Sequence, residues 1–119
     1  MNSEVRIAKS FRRDAKPLEK KYPSFPDDLN KLVAELLENP TLGVDIGHNA
    51  YKTRLAIRSK GKGKSGGARV ISWVDKEIIA IVDDEEELVI VYLLTVYDKS
   101  DTETISETKL LELIADLEL

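Results

Sequence analysis

The part of the sequence best suited to chemistry is a stretch of bases without acids between residues 52 and 71. Its seven basic residues are Lys52, Arg54, Arg58, Lys60, Lys62, Lys64 and Arg69. A cluster of fixed cations attracts phosphate groups and stabilises the negative charge that builds on phosphate oxygens during a reaction. The competing interpretation is a solvated basic loop without a ligand, and charge alone does not decide between the two.

The spacing of these bases adds a geometric prediction. Residues 51–58 alternate between two faces, which predicts a strand with Lys52, Arg54 and Arg58 on one side. Arg69 begins the next predicted strand and is expected to face the same way. Lysines and arginines on a strand beside an apolar sheet predict a basic groove that suits a ligand with phosphates.

A second group of polar residues lies at the end of the last predicted strand. Tyr97 ends the apolar run 88–97, and Lys99 follows two residues later. This strand is a natural neighbour of the basic hairpin strands, so Tyr97 is expected near the groove. There its ring can stack on a base, or its hydroxyl can donate a hydrogen bond or a proton.

Several better-known chemistries are excluded. The chain has no cysteine and one histidine, so thiol nucleophiles, cysteine zinc sites and histidine-rich metal sites are not expected. Gly63-Lys64-Ser65 resembles the end of a phosphate loop, but Arg58 stands where that motif requires glycine, and no helix follows. His48 follows a glycine and is interpreted as a turn residue. Tyr51 and Trp73 are interpreted as core residues of strands.

The elements that must position these residues follow the order β-α-α-β-β-β-α. A short strand at 4–8 precedes a helix at 10–22, in which Pro17 predicts either a kink or a later start. The clearest amphipathic helix follows, with an apolar stripe formed by Leu29, Leu32, Val33, Leu36 and Leu37. Residues 88–97 are apolar on both faces, which predicts a strand covered on both sides.

The remaining segments complete an α+β prediction. The long run 68–82 is predicted as a strand, the acidic run 83–87 as a solvated turn, and 106–117 as a helix. We therefore expect an antiparallel sheet with a helical hairpin on one face and a C-terminal helix. At 119 residues the chain is expected to be one domain, 1–119, without cofactor, metal or membrane segment, and cytoplasmic.

With these motifs in place, the chain resembles the RelE/ParE superfamily of type II toxin–antitoxin toxins, in its RelE-like branch. The resemblance spans roughly residues 5–117. It rests on five segments in order: Lys20-Lys21-Tyr22-Pro23-Ser24, Glu38-Asn39-Pro40-Thr41-Leu42-Gly43, Tyr51-Lys52-Thr53-Arg54-Leu55-Ala56-Ile57, Gly61 to Ile71, and Leu93 to Ser100.

The resemblance implies a function and partners. Such toxins cut messenger RNA without a metal, commonly on translating ribosomes, and they are held by a cognate antitoxin. A base removes the proton from a ribose 2′-hydroxyl, and the resulting oxygen attacks the adjacent phosphate. Cations stabilise that phosphate, and an acid assists the leaving 5′-oxygen. We therefore expect an endoribonuclease whose partners are mRNA, the ribosome and a small protein with an acidic tail.

The resemblance also implies roles for single residues. Lys52 and Arg54 match two cationic positions on the family's second strand, with Lys52 as the candidate base and Arg54 as a phosphate clamp. Arg69 matches a transition-state stabiliser. Lys99 stands where the family often has arginine, and Tyr97 is the nearest substitute for a tyrosine that the family places before its last helix. The residues expected to bind RNA are Arg58, Lys60, Lys62 and Lys64.

Two alternatives remain open. The acidic isoelectric point, near 5.1, and the missing tyrosine before the last helix favour a non-catalytic RNA- or protein-binding member of the same fold. A ParE-like inhibitor of DNA gyrase is the other alternative, although an inhibitor would not need the clustered cations.

Overall fold

The structure, a computed structural model, describes residues 2–61, 66–81, 84–100 and 104–117, with side chains for all of them except 77–81 and 84–86. Five strands, three helices and a 3₁₀ turn lie in this part of the chain. They are β1 (Asn2–Ile7), α1 (Lys9–Lys21), α2 (Phe25–Glu38), β2 (Val44–Gly47), β3 (Ala50–Leu55), the 3₁₀ turn (Arg58–Lys60), β4 (Ala68–Ile81), β5 (Asp84–Asp98) and α3 (Glu107–Ala115).

The strands form one sheet in the order β1-β5-β4-β3-β2. The α+β class is confirmed, but the prediction of a purely antiparallel sheet is wrong because β1 runs parallel to β5. The pattern of a single strand carries no information about the direction of a partner more than eighty residues away. The sheet is therefore mixed, with β4 and β5 in its interior.

The predicted element order also lacked β2. This edge strand has four residues and a mostly exposed surface, so it shows no apolar alternation. A two-residue turn joins it to β3, and both turn residues, His48 and Asn49, have positive φ angles, of 56° and 61°. Such turns match the twist of paired strands, so the interpretation of His48 as a turn residue is confirmed.

The sheet is covered on both faces. One core contains residues of α1 and α2 packed on inward residues of β3, β4 and β5, among them Phe11, Phe25 and Leu36. The other core lies under α3, where Leu110 and Leu113 contact the opposite face. The coverage explains the continuous apolar run of β5, whose residues 89–94 are all buried.

The helices agree with their sequence signals in most respects. Helix α1 begins at Lys9, so the alternative of a late start at Pro17 is wrong, and Pro17 lies inside the helix. The side chain of Ser106 accepts a hydrogen bond from the backbone of Lys109 and caps α3. None of the helices in the described ranges is long and apolar enough to cross a lipid bilayer.

Candidate functional site

Three of the predicted site residues form a row across the sheet. In the register of the antiparallel strands, Arg54 of β3 lies opposite Arg69 of β4, and Arg69 lies opposite Tyr97 of β5. Residues directly opposite each other project from the same face and are close neighbours. This cation row, defined as Arg54, Arg69 and Tyr97, therefore lies on the face that α3 covers, near the end of the three strands.

Lys52 belongs to the same face. It lies two residues before Arg54 on β3 and opposite Ile71, which is part of the core under α3. Its side chain is half-buried and lines a pocket between the β2–β3 turn and the start of α3. The structure thus places Lys52 beside the row, two residues before Arg54 on β3.

The two arginines of the row differ in burial. Arg54 is exposed and makes no ion pair with any residue in the described ranges. Arg69 is buried, with an exposed fraction of 6%. Its guanidinium donates a hydrogen bond to the carbonyl of Ala68 at 3.1 Å. A buried guanidinium is held in place before any ligand arrives, which is the condition for electrostatic stabilisation without reorganisation.

Tyr97 presents a hydroxyl group without a partner. Its oxygen is buried and has no hydrogen bond to any residue that the structure describes. Burial raises the pKa of Tyr97 above its usual value, and the nearby charge of Arg69 opposes that shift only in part. The hydroxyl therefore remains protonated at neutral pH and is able to donate a hydrogen bond or a proton.

Lys99 lies just outside the strand. Strand β5 ends at Asp98, and Lys99 is exposed in the turn that follows. Its backbone N–H donates to the carbonyl of Gly67 at 3.3 Å, which joins this turn to the segment that leads into β4. The predicted position near Tyr97 is thus a loop position, and Lys99 makes no ion pair in the described part of the chain.

The prediction that Arg58 shares a strand face with Lys52 and Arg54 is wrong. Strand β3 ends at Leu55, and Arg58 begins the 3₁₀ turn. Its side chain donates from Nε to the buried carboxylate of Asp28 at 2.9 Å, and its backbone N–H donates to the same group at 3.0 Å. Arg58 is therefore the ion-pair partner of a buried acid of α2, on the other side of the sheet, and its own side chain is 56% exposed.

Lys60 is also directed into the protein. Its ammonium lies 2.7 Å from the carboxylate of Asp98 and 5.7 Å from the ring centroid of Tyr22. Because its ammonium is paired with the buried Asp98, Lys60 does not belong to the exposed basic surface on which RNA binding was predicted. Lys62 and Lys64, the other two residues predicted to bind RNA, lie outside the described residues.

A groove beside Tyr97 was not predicted. It has a volume of about 580 Å³ and lies between α1 and the start of α3. Arg13, Pro17 and Lys109 line it together with Tyr97, and Thr95 donates a hydrogen bond to Asp14 at its wall. Arg13 and Pro17 lie four residues apart on α1, so their shared face was the available signal, but nothing in the sequence placed that face beside β5.

The polar groups at this end of the sheet are basic side chains and one phenol. Within residues 2–61, 66–81, 84–100 and 104–117, no three His, Asp or Glu side chains group closely enough to hold a metal ion. What the arrangement offers instead is a set of cations and a neutral phenol around one end of the sheet. These groups can bind a phosphate, stabilise its negative charge and move a proton.

Comparison with solved structures identifies the fold. The chain aligns with a double arginine-to-alanine variant of the Escherichia coli toxin RelE in the free state, with a TM-score of 0.57. The alignment covers 96% of this chain and 99% of that chain, at 19% identity. The fold is RelE-like. No protein-family model matches the sequence. Because the identity is low, side-chain roles in this RelE-like chain rest on its own geometry.

Proposed function

We propose that this protein is the toxin of a type II toxin–antitoxin system and cleaves messenger RNA without a metal, on translating ribosomes in the cytoplasm. One observation carries the proposal: Arg54, Arg69 and Tyr97 form a row on one face, with Lys52 beside them. A RelE-like fold supports it, since the solved structure that aligns over nearly the whole chain is a toxin.

The chemistry assigns one role to each residue. The amine nitrogen of Lys52 takes the proton of a ribose 2′-hydroxyl, and the 2′-oxygen attacks the adjacent phosphorus. Arg54 and Arg69 hold the phosphate oxygens as negative charge builds on them. The bond from phosphorus to the 5′-oxygen then breaks, and the hydroxyl of Tyr97 gives its proton to that oxygen. The products are a 2′,3′-cyclic phosphate and a free 5′-hydroxyl.

The difference in burial gives the two arginines different roles in this reaction. Arg69 is fixed in the sheet, so it suits the transition-state charge at the reacting phosphate. Arg54 is exposed at the open end of the row, where an incoming backbone phosphate meets it first. Lys99 lies in the adjoining turn and extends the same basic surface along the RNA.

The experiment is primer extension on a defined message, incubated with purified protein with and without ribosomes. We expect cuts from the wild type and a loss of about a hundredfold in rate for Arg54→Ala, because a charge-stabilising donor is worth about 10²–10³ in rate. Arg54 is the residue of choice because its exposure makes misfolding an improbable cause of the loss.

Arg12→Ala is the matched control. Arg12 is an exposed arginine on α1 that lines neither of the pockets beside the row, so the variant loses the same charge elsewhere. Equal loss of activity in both variants would contradict a role for the row. If folded wild-type protein cuts nothing in either condition, the alternatives remain: RNA binding without cleavage, or inhibition in a gyrase supercoiling assay.

The proposal includes a protein partner. A toxin of this kind is held by a cognate antitoxin, and a basic surface of this type suits a small protein with an acidic tail. Expression of the chain alone is expected to arrest growth, and coexpression with the small protein encoded beside it is expected to restore growth. Harmless expression of the chain alone would contradict this part of the proposal.

A further inference from the structure

A buried carboxylate lies directly behind the cation row. Asp98, the last residue of β5, accepts a hydrogen bond from the ammonium of Lys60 at 2.7 Å and from the hydroxyl of Tyr22 at 3.1 Å. It also accepts from the backbone and hydroxyl of Ser100, at 2.9 and 2.6 Å. One carboxylate therefore ties together the end of α1, the 3₁₀ turn and the turn after β5.

The ammonium at the centre of this cluster is already paired with a buried acid. The side chain of Lys60 is 12% exposed and that of Asp98 is 4% exposed. The ring of Tyr22 lies 5.7 Å from the same ammonium, which adds a cation–π contact. An RNA phosphate would have to break a short, desolvated ion pair to reach Lys60, so a direct contact is unfavourable.

The register puts the cluster next to two members of the row, Arg69 and Tyr97. Asp98 follows Tyr97 on β5 and lies opposite Ala68, which precedes Arg69 on β4. Successive strand residues point to opposite faces, so the carboxylate is on the helical-hairpin face while the row is on the other. The two groups are separated by the thickness of the sheet and by one residue along each strand.

The same corner joins the turn of Lys99 to the sheet. The backbone of Lys99 donates to Gly67, and Ser100, the next residue, is held by Asp98. Gly67 in turn packs closely against the backbone of Leu55. The contact is so close that a Cβ atom at Gly67 would overlap the carbonyl oxygen of Leu55. The strand ends that carry the row are thus connected through contacts that begin at Asp98.

We propose that the Lys60–Asp98 ion pair is a positioning device for the cation row: it fixes the ends of β4 and β5 and the turn of Lys99, and it does not bind RNA itself. This inference rests on the proposed function for its effect on cleavage, but its structural part can be tested without activity. Lys60 and Asp98 act through Arg69, Tyr97 and Lys99, so they are positioning residues and not catalytic residues.

Steady-state kinetics on ribosomes distinguish positioning from RNA binding. In Lys60→Met and Asp98→Asn we expect kcat to fall about tenfold to a hundredfold with KM nearly unchanged, because a small displacement of reacting groups costs rate. The salt dependence of RNA binding is expected to keep its slope. A direct phosphate contact would instead raise KM and reduce that slope by about 0.7 for a single strand.

The double variant shows whether the two residues act as a unit. If they do, Lys60→Met combined with Asp98→Asn loses no more kcat than the worse single variant. Independent contributions would multiply, and that result would overturn the proposal. Lys60→Arg, which can still donate to Asp98, is expected to recover part of the rate that Lys60→Met loses.

Hydrogen exchange supplies the readout that does not need cleavage. The amide of Lys99 is expected to exchange faster in Lys60→Met and Asp98→Asn than in the wild type, because its contact with Gly67 loses support. Lys31→Met, which removes an exposed lysine from α2, is the matched control and is expected to leave exchange unchanged.

The two proposals fail in different ways. A wild-type protein that cuts no RNA overturns the proposed function, and exchange at Lys99 still tests the anchoring. Unchanged exchange and unchanged kcat in both single variants overturn the inference while leaving cleavage intact. If Lys60→Met does not fold, Asp98→Asn decides alone, since it keeps the shape of the side chain and removes only the charge.

Discussion

The two faces of the sheet use cations from the same basic stretch in opposite ways. On the helical-hairpin face, Arg58 and Lys60 are each within 3 Å of a buried carboxylate, Asp28 and Asp98 respectively. On the α3 face, Arg54 and Lys52 make no ion pair with any residue in the described ranges. On the first face the charges form ion pairs that hold the loop after β3. On the second face Arg54 and Lys52 remain available to a ligand.

This difference shows why a count of charges overstates a binding surface. Residues 52–69 contain seven bases, but two of them, Arg58 and Lys60, are paired with buried carboxylates, and two lie outside the described residues. The other three bases, Lys52, Arg54 and Arg69, lie on the α3 face, and Arg69 is buried there. Whether a basic residue can bind a ligand depends on the face of the sheet from which its side chain projects, and on whether a buried acid on that face pairs with it.

The strongest way to break this comparison is to remove one arginine from each face. Arg58→Ala is expected to lower the free energy of unfolding by about 2 kcal/mol, because it leaves the buried Asp28 without its cation, while solvent at the 56% exposed guanidinium weakens the pair. Arg54→Ala is expected to change it by less than about 0.5 kcal/mol, as is usual for an exposed residue. Equilibrium unfolding in urea measures both values.

The neighbouring acid provides the control for Arg58. Asp27 also lies near its guanidinium, at 3.7 Å, but the side chain of Asp27 is 77% exposed. Asp27→Ala is therefore expected to cost less than about 0.5 kcal/mol. Equal losses in Arg58→Ala and Arg54→Ala would show that the two faces do not differ in this way.

The sequence predicted the fold where one segment contains its own signal. The stripe of α2 and the apolar run of β5 indicated their elements because amphipathic spacing and burial on both sides leave direct marks. The parallel pairing of β1 and the short edge strand β2 depend on contacts between distant segments. The spacing of apolar residues and the composition within one segment do not predict which distant segment pairs with it.

The site was predictable as far as the strand alternation holds. The two-residue period correctly placed Arg54 and Lys52 on one face of β3. The same period gave a wrong position for Arg58, because β3 ends before that residue. A signal for the failure was present on α2, where Asp28 lies on the buried stripe with Phe25, Leu32 and Leu36. A buried carboxylate requires a partner, and that requirement pointed to an unassigned cation.

Acid is expected to weaken the ion-paired face selectively. Burial alone would raise the pKa of Asp98, but the hydrogen bonds from Lys60, Ser100 and Tyr22 outweigh it and hold the pKa well below its usual value. A lowered pKa contributes stability that is complete above the usual carboxyl pKa and is lost as pH falls towards the lowered one. Asp28 shifts in the same direction, with burial again opposed by hydrogen bonds from Ser24 and Arg58.

The measurement is the free energy of unfolding in urea between about pH 6 and about pH 3. The wild type is expected to lose about 1 kcal/mol more over this range than Asp98→Asn, which has no carboxylate to protonate at that position. The variant starts from a lower stability at the higher pH. Parallel curves for the two proteins would contradict an ion pair that is maintained at neutral pH.

The smallest expected effect is on the other face, at Tyr97. Its buried hydroxyl has no partner among the described residues, so Tyr97→Phe is expected to preserve the free energy of unfolding or to increase it by up to about 1 kcal/mol. Cleavage is expected to slow, because phenylalanine keeps the ring but cannot give a proton to the 5′-oxygen. A stable variant with reduced kcat would assign the hydroxyl to the reaction. Full activity would restrict Tyr97 to stacking, and a large loss of stability would mean that the hydroxyl supports the fold, as the charged groups behind it do.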